Sequence, residues 1–303
     1  MRFSVVIPVY NKANTIRASI DSVLAQINKD YEIIIVDDGS VDNLIEALSD
    51  YDNLNVIHQK NAGVSVARNT GIKNSKGDFV CFLDADDLWK DNHLSTLSML
   101  IDKYPDVNYF VTSHIISNTD GTFVNSSDFL KDYSVDFGCD DLLGLLNNTS
   151  YSVIHTNSIC ARRSEFINNN LFFEPGIRIG EDTDVWYRLA LKNTAVVTKK
   201  LTTVYRRENS TATKFSSYID EWIFSKRLKD IDNDPDILSE VKVSAAVLLD
   251  RYLLNSSRQN MLAKNRKQAL MILKKVRYKK GKRYFLTKLF CYLPYFICSC
   301  LIK

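Results

Sequence analysis

Apolar runs that end in acids alternate with stretches of helical periodicity along the first third of this chain, and that alternation constrains the fold most. "FSVVIPVY" is a continuous, β-branched run, followed by "TIRASIDSVLAQI", in which Ile16, Ile20, Val23, Leu24 and Ile27 recur at helical spacing. "YEIIIVDD" is a second buried strand ahead of the helical "LIEALSDY". "LNVIHQ", "VSVARNTGIKNS" and "DFVCFLDAD" repeat the strand, helix, strand order. Strands without polar alternation are buried on both faces, so the pattern predicts a parallel α/β sheet covered by helices on each side. Ligands of such sheets lie at the carboxyl ends of the strands. Pro8 to Asn11, Asp37 with Asp38, and Asp84 with Asp86 all fall at such ends.

The octet "FLDADDLW" groups Asp84, Asp86 and Asp87 within four positions. A solvated turn is one explanation, because Asp tolerates turns and caps helices. A divalent cation is the other, because carboxylates suit Mg²⁺ and Mn²⁺. No GxxxxGK[ST] or GxGxxG spacing occurs, which disfavours a P-loop enzyme or a dinucleotide dehydrogenase. The region from 105 to 215 is less regular, with "YFVTSHII" strand-like and "DDLLGLLNN" helical, and the chain beyond 215 is helical.

Charge divides the chain more sharply than the net of +3 suggests. Up to Asp250 there are 25 Lys and Arg against 36 acids, and beyond it 14 basic residues and no acid. The last apolar run, residues 289–302, has 14 residues interrupted by Pro294, short of the roughly 20 that a spanning helix needs. Basic residues followed by Tyr, Phe and Leu fit a segment lying on an anionic leaflet. A helix packed on the catalytic part, or a nucleic-acid site, are the alternatives. The acidic first part would repel nucleic acid, so none is expected as a partner. The six cysteines show no CxxC pair, and the opening run is too short for a secretory h-region, so reduced thiols in the cytoplasm are expected.

Taken together, "VVIPVYNKANTI", "IIIVDDGSVDN", "NAGVSVARNTGI", "FLDADDLW" and "GEDTDVWYRL" resemble, in order, the motifs of glycosyltransferase family 2. The resemblance covers roughly residues 1 to 215. It implies an inverting enzyme of the GT-A fold that uses a nucleotide-sugar donor, UDP-sugars first, with a nucleotide-sugar-binding half at 1–115 and an acceptor-binding half at 116–215. Residues 216–303 lie outside the resemblance, and their charge and apolar pattern predict a helical, basic, membrane-associating region. Pro8, Tyr10 and Asn11 would line the base pocket, Asp38 would read a base imide N–H beside Asp37, and Arg68 would face the diphosphate or base. Asp86 would contact a divalent cation (Mn²⁺ or Mg²⁺), with Asp84 on the ribose or a metal-bound water, and Asp87 as a cap of the next helix. Asp182 would be the catalytic base beside Glu181. Trp186 would either stack on an acceptor sugar or be buried. Family members often carry His where this chain has Glu208, which leaves Arg206 or Arg207 to take the diphosphate. The implied acceptor is a lipid-linked or lipopolysaccharide-type glycan, reached from the inner face of the plasma membrane. A polyprenyl phosphate acceptor, which needs no base, and a non-catalytic nucleotide-binding partner are the alternatives. A sugar nucleotidyltransferase is disfavoured because its GxGTR signature is absent.

Overall fold

The computed structural model describes residues 2–52, 54–150, 153–177, 180–207, 223–279, 282–294 and 297–298. The chain divides into two compact units, Met1–Thr211 and Ala212–Lys303.

The first unit is built on β1 (Phe3–Val9), α1 (Ile16–Leu24), β2 (Tyr31–Asp37), α2 (Leu44–Leu48), β3 (Asn55–His58), α3 (Val64–Asn74) and β4 (Phe79–Phe82). Then come β5 (Leu88–Trp89), α4 (His93–Lys103), β6 (Tyr109–Ser117), β7 (Phe123–Asn125), β8 (Asp136–Cys139) and α5 (Leu142–Asn148). β9 (Ile159–Arg162), α6 (Arg163–Asn168), α7 (Glu181–Ala190) and β10 (Ala195–Arg206) complete it. One sheet runs in the order β3-β2-β1-β4-β9-β6-β10-β5, with β7 on β6 and β8 on β10. β3, β2, β1 and β4 are mutually parallel, as the alternating pattern predicts. β9 then enters antiparallel to both β4 and β6. The sheet is continuous across residue 115, which lies inside β6, so the two halves share one hydrogen-bonded framework.

Period-two alternation explains the two-sided burial. Val5, Ile7, Ile33, Ile35 and Cys81 face one side and meet Ile16, Ile20 and Val23 of α1 and Leu94, Leu97 and Leu100 of α4. Ile34 and Val36 face the other side with Ala67 of α3. α3 lies so close to β1 that a Cβ on Gly71 would stand 2.2 Å from Val6 Cγ1.

The reversal of β9 matters for function. Its register sets Cys81 opposite Cys160, so the segment just before β9 runs beside the chain leaving the carboxyl end of β4. β10 runs parallel to β6, and its carboxyl end reaches the same edge.

The second unit contains α8 (Ile223–Asn233), α9 (Ser239–Leu262), α10 (Arg266–Lys275) and α11 (Lys282–Tyr292). Its helices close on one another through apolar residues of α9 and α10 and through Asp250. Buried in α9, Asp250 accepts the backbone N–H groups of Arg277 (2.8 Å) and Tyr278 (2.7 Å) and so closes the turn after α10. Among the described residues no helix is long and apolar enough to cross a membrane.

Candidate active site

The β1 and β2 ends are tied together by side chains rather than by sheet bonds. Val9 ends β1, and Asn11 takes a positive φ of 52° that Asn tolerates better than most residues. Its backbone N–H donates to Ser40 Oγ (3.0 Å), and its side-chain oxygen accepts from Val41 N (2.8 Å). Tyr10 is 47% exposed, so its ring is open to a planar partner. Pro8 lies within β1, buried opposite Val36, and supports this loop from below.

The adjacent acids of β2 diverge. Asp37 accepts from Ser40 N (2.9 Å) and pairs with His58 Nδ1 (2.9 Å). Burial pushes its carboxyl upward, but Ser40 and His58 outweigh that and hold it below the ordinary value. Asp38 is 2% exposed and accepts from Gln59 Nε2, Ala62 N and Gly63 N at 2.7 to 2.9 Å. It therefore clamps the loop into α3, whose N-cap Gly63 has the positive φ (92°) that glycine adopts without strain. A carboxylate offers about four acceptor sites, so one remains beyond these three donors.

At the end of β4 each aspartate of the octet has a different partner. Asp84 Oδ1 accepts from Arg68 Nη2 (2.9 Å), and Asp86 Oδ2 from Lys12 Nζ (2.7 Å). Burial raises the Asp84 carboxyl, yet Arg68, with smaller help from His155 and Lys12, leaves it below the ordinary value. Burial and the charge of Asp84 push the Asp86 carboxyl upward, and Lys12 only partly offsets them. Asp87 is not a helix cap, since Asn92 holds that position for α4. Asp87 is 1% exposed and accepts from Asn157 Nδ2 (2.9 Å) before β9 and from the backbone N–H of Arg206 (2.9 Å) at the end of β10. It fastens three chain segments that only the tertiary fold brings together.

The cation site implied by the family rests on Asp84 and Asp86. Mg²⁺ characteristically takes one or two carboxylates and fills its shell with water and substrate phosphate. Two hard oxygen donors on one turn fit that pattern. Among the described residues no group of three or more His, Cys, Asp and Glu stands ready to hold a metal alone.

Arg68 joins the octet to α7. Only 3% exposed, it donates to Asp84 and through Nη1 to Glu181 Oε1 (3.2 Å). Burial opposes its charge, but Asp84, Glu181 and Asp182 outweigh burial and keep the guanidinium protonated. Burial and the charge of Asp182 raise the Glu181 carboxyl. Asp182 is held at both oxygens: Thr156 Oγ1 donates to Oδ2 (2.9 Å), and Thr183 donates through N (2.6 Å) and Oγ1 (3.1 Å) to Oδ1. Asp184 is buried and pairs with Arg188 one turn later (2.8 Å), which makes it part of the helix's own support.

Trp186 takes the buried alternative. It is 2% exposed, packed against Phe82 and Phe173 at centroid distances of 5.3 and 5.4 Å, and cannot offer a ring face to an acceptor. Its Nε1 instead donates to Thr156 Oγ1 (3.2 Å), the hydroxyl that holds Asp182.

Arg206 reaches the octet, where its Nε donates to the carbonyl of Asp86 (2.7 Å), while its buried Nη2 finds no partner among the described residues. Arg207 turns to Asn118 (3.1 Å). Glu208 lies outside the described residues. Lys12, His155, Thr156 and Asn157 also belong to the site, although no motif singles them out. His155 stacks on Tyr205 at 4.2 Å and stands 4.0 Å from Asp87, and burial keeps it neutral-leaning by lowering its pKa despite the pull of Asp84. The polar "HTNS" ahead of the apolar "ICA" is the local signal, but its meaning depends on β9 running antiparallel to β4.

Known proteins place this arrangement. An "Uncharacterized glycosyltransferase" from Rickettsia felis is 34% identical over 204 residues, which is 63% of this chain and 31% of that protein. An uncharacterised glycosyltransferase YibD of Escherichia coli K12 is 31% identical over 58% of this chain and 53% of its own length. The chain thus spans about a third to a half of these relatives. In fold it matches Staphylococcus aureus TarS 1–349, solved with UDP-GlcNAc, at a TM-score of 0.66 and 20% identity, covering 97% of this chain and 82% of TarS 1–349. It also matches the mannosyltransferase PcManGT of Pyrobaculum calidifontis, solved with GDP-Man and Mn²⁺, at a TM-score of 0.56 and 16% identity, over 99% and 86% of the two chains. The pattern described as "Glycosyl transferase family 2" matches residues 4–165, more than half of the chain's 303 residues, and with the GT-A sheet beneath it this chain belongs to glycosyltransferase family 2.

Proposed function

We propose that the chain is an inverting glycosyltransferase that moves a sugar from a nucleoside-diphosphate sugar, with UDP-sugars first, to a hydroxyl of a lipid-linked or surface-polysaccharide acceptor at the inner face of the plasma membrane. The observation that carries this is the Arg68 bridge, which puts Asp84, suited to the cation that accompanies a donor diphosphate, and Glu181 of α7 on the two ends of one guanidinium. Donor chemistry and acceptor chemistry would then share a single cleft. The nucleotide-sugar complexes of the two structural neighbours support the same class of donor.

In this reading Tyr10 stacks on the base, and the remaining acceptor site of Asp38 takes the base N–H, with Asp37 ordering the loop. Asp182, fixed by Thr156 and Thr183, accepts the proton of the acceptor hydroxyl. The hydroxyl oxygen forms its bond to the anomeric carbon as the bond to the diphosphate oxygen breaks, and the nucleoside diphosphate leaves with that electron pair on the opposite face. Arg206, with its unpartnered buried Nη2, and Lys12 lie beside the octet where the departing charge collects. A divalent cation on Asp84 and Asp86 would supply Lewis-acid stabilisation of the same leaving group.

Nucleoside diphosphate release, measured across UDP-, GDP- and dTDP-sugars with membrane-extracted acceptor, tests the reading. Asp182→Asn should lower kcat by about 10²–10⁴-fold, the usual contribution of a general base. Full activity in that variant would remove Asp182 as base and favour an acceptor that is already anionic, such as a polyprenyl phosphate.

A further inference from the structure

α11 presents a face that the site described above does not use. Thr287, Phe290 and Cys291 turn inward and are buried at 0%, 8% and 0% exposure. On the outward side Phe285, Leu286, Leu289 and Tyr292 remain 57%, 49%, 60% and 62% exposed. Their spacing (i, i+1, i+4, i+7) makes one continuous apolar stripe on a helix. Exposed Lys282 and Arg283 stand in its first turn, and exposed Lys288 borders it. No acid follows Asp250 anywhere in the sequence, so α11 and the segments flanking it in sequence carry no carboxylate side chain of their own.

We propose that this face of α11 is a docking surface for an anionic lipid leaflet, in which the four apolar side chains enter the headgroup–acyl boundary while Lys282, Arg283 and Lys288 meet lipid phosphates. This deepens the membrane location given under the proposed function, and it names the surface responsible. Two observations select a bilayer over other polyanions. A helix with an apolar stripe bordered by cations is the arrangement that lies in the interface plane. Nucleic acid satisfies the cations but leaves two exposed leucines and a phenylalanine in water, and in single strands only the aromatic residues would find stacking partners. Tyr292 at the carboxyl end of the stripe has the amphipathic ring favoured at headgroup depth.

The test uses the full chain with phosphatidylcholine vesicles prepared with and without phosphatidylglycerol, in sedimentation assays that contain no donor or acceptor. Failure of the glycosyl-transfer reading therefore leaves the outcome unaffected, and failure here leaves that reading intact. The wild type should sediment with the anionic vesicles and lose binding as salt rises. Each basic residue near such a surface contributes about fivefold, so Lys282→Gln/Arg283→Gln/Lys288→Gln should weaken binding about 100-fold. Phe285→Ser/Leu289→Ser should weaken it at least tenfold while all charges remain, because two apolar anchors are lost. Both variants should keep the wild-type urea midpoint, since the replaced side chains are exposed. Absence of vesicle binding by the wild type overturns the proposal. So does a double Ser variant that binds as the wild type does, or a wild type that binds a polynucleotide with equal affinity and is displaced from vesicles by it.

Discussion

Replacing Thr156 with Val isolates how the proposed base is held. Thr156 Oγ1 donates to Asp182 Oδ2 at 2.9 Å and accepts from Trp186 Nε1 at 3.2 Å, and the residue is 1% exposed. Valine keeps the volume and removes both bonds. A hydrogen bond to a charged acceptor contributes about 1.5–3 kcal/mol, and about 1.4 kcal/mol corresponds to tenfold in rate. If all of it serves to orient Asp182, kcat should fall about tenfold to 100-fold. KM for the donor should stay within about twofold, because the two side-chain bonds of Thr156 go to Asp182 and Trp186 and to none of the residues assigned to the donor. Trp186 Nε1 is left as a buried donor without an acceptor, at a cost of about 1–3 kcal/mol in stability. Thr156→Ser, which retains the hydroxyl, should recover most of both losses. Steady-state kinetics and urea unfolding on the three proteins separate the effects. If Thr156→Val loses stability but keeps kcat within twofold of the wild type, Thr156 serves only Trp186 and the positioning argument fails.

Lys12→Met should strengthen binding of Mn²⁺ alone by roughly tenfold, since the ammonium 2.7 Å from Asp86 no longer competes for that carboxylate, and unchanged or weaker binding by calorimetry would contradict this. Gly71→Ala should cost at least about 1–3 kcal/mol in urea unfolding, because the added Cβ meets two Val6 methyls at 2.2 and 3.0 Å, and a neutral result would show that α3 can move off β1. Acid should weaken the fold through His93 and His114, whose pKa values burial lowers to about 3. The unfolded chain takes up protons near pH 6.5 while the folded chain stays neutral there, so stability is present above about 6.5 and declines toward 3. At pH 5 the loss is on the order of 2 kcal/mol for each histidine. A His93→Gln variant should show a shallower fall in urea midpoint between pH 7 and 5, and parallel slopes would refute the assignment.

The parallel half of the sheet is legible in the sequence because each strand there carries its own signal: an apolar run, an acid or turn at its end, and a helix after it. The positions of Tyr10, Asp37, Asp38, Asp84 and Asp86 at one edge follow from that alone. The other side of the site is not legible in the same way. β5 has two residues, and β8 and β9, with four each, lie outside the regular strand–helix alternation that makes the equally short β3 and β4 legible. The roles of His155, Thr156 and Asn157 depend on β9 being antiparallel, a pairing choice made by residues far away in sequence. Trp186 shows the same limit from another direction, since its place beside Val185 and Leu189 on α7 leaves open whether a ring faces the core or a ligand. Phe82 and Phe173 decide it, and neither is its neighbour in sequence. Asp87 has the sequence context of a local helix cap, and its partners lie 70 and 119 positions further along the chain.

That last separation bears on how the protein is made. Asp87 is buried, and its carboxylate holds both of these partners only when β10, itself a strand of the sheet, has docked and Arg206 has brought its amide across 119 residues. Contacts of such span form late, because the long loop must be closed before they contribute anything. A growing chain released from the ribosome at residue 165 would contain every acid of the octet without the strand that completes it. Completion of the site is in this way tied to completion of the first unit: a chain cut short before β10 already carries the octet but lacks the Arg206 amide from which one of its buried carboxylates accepts.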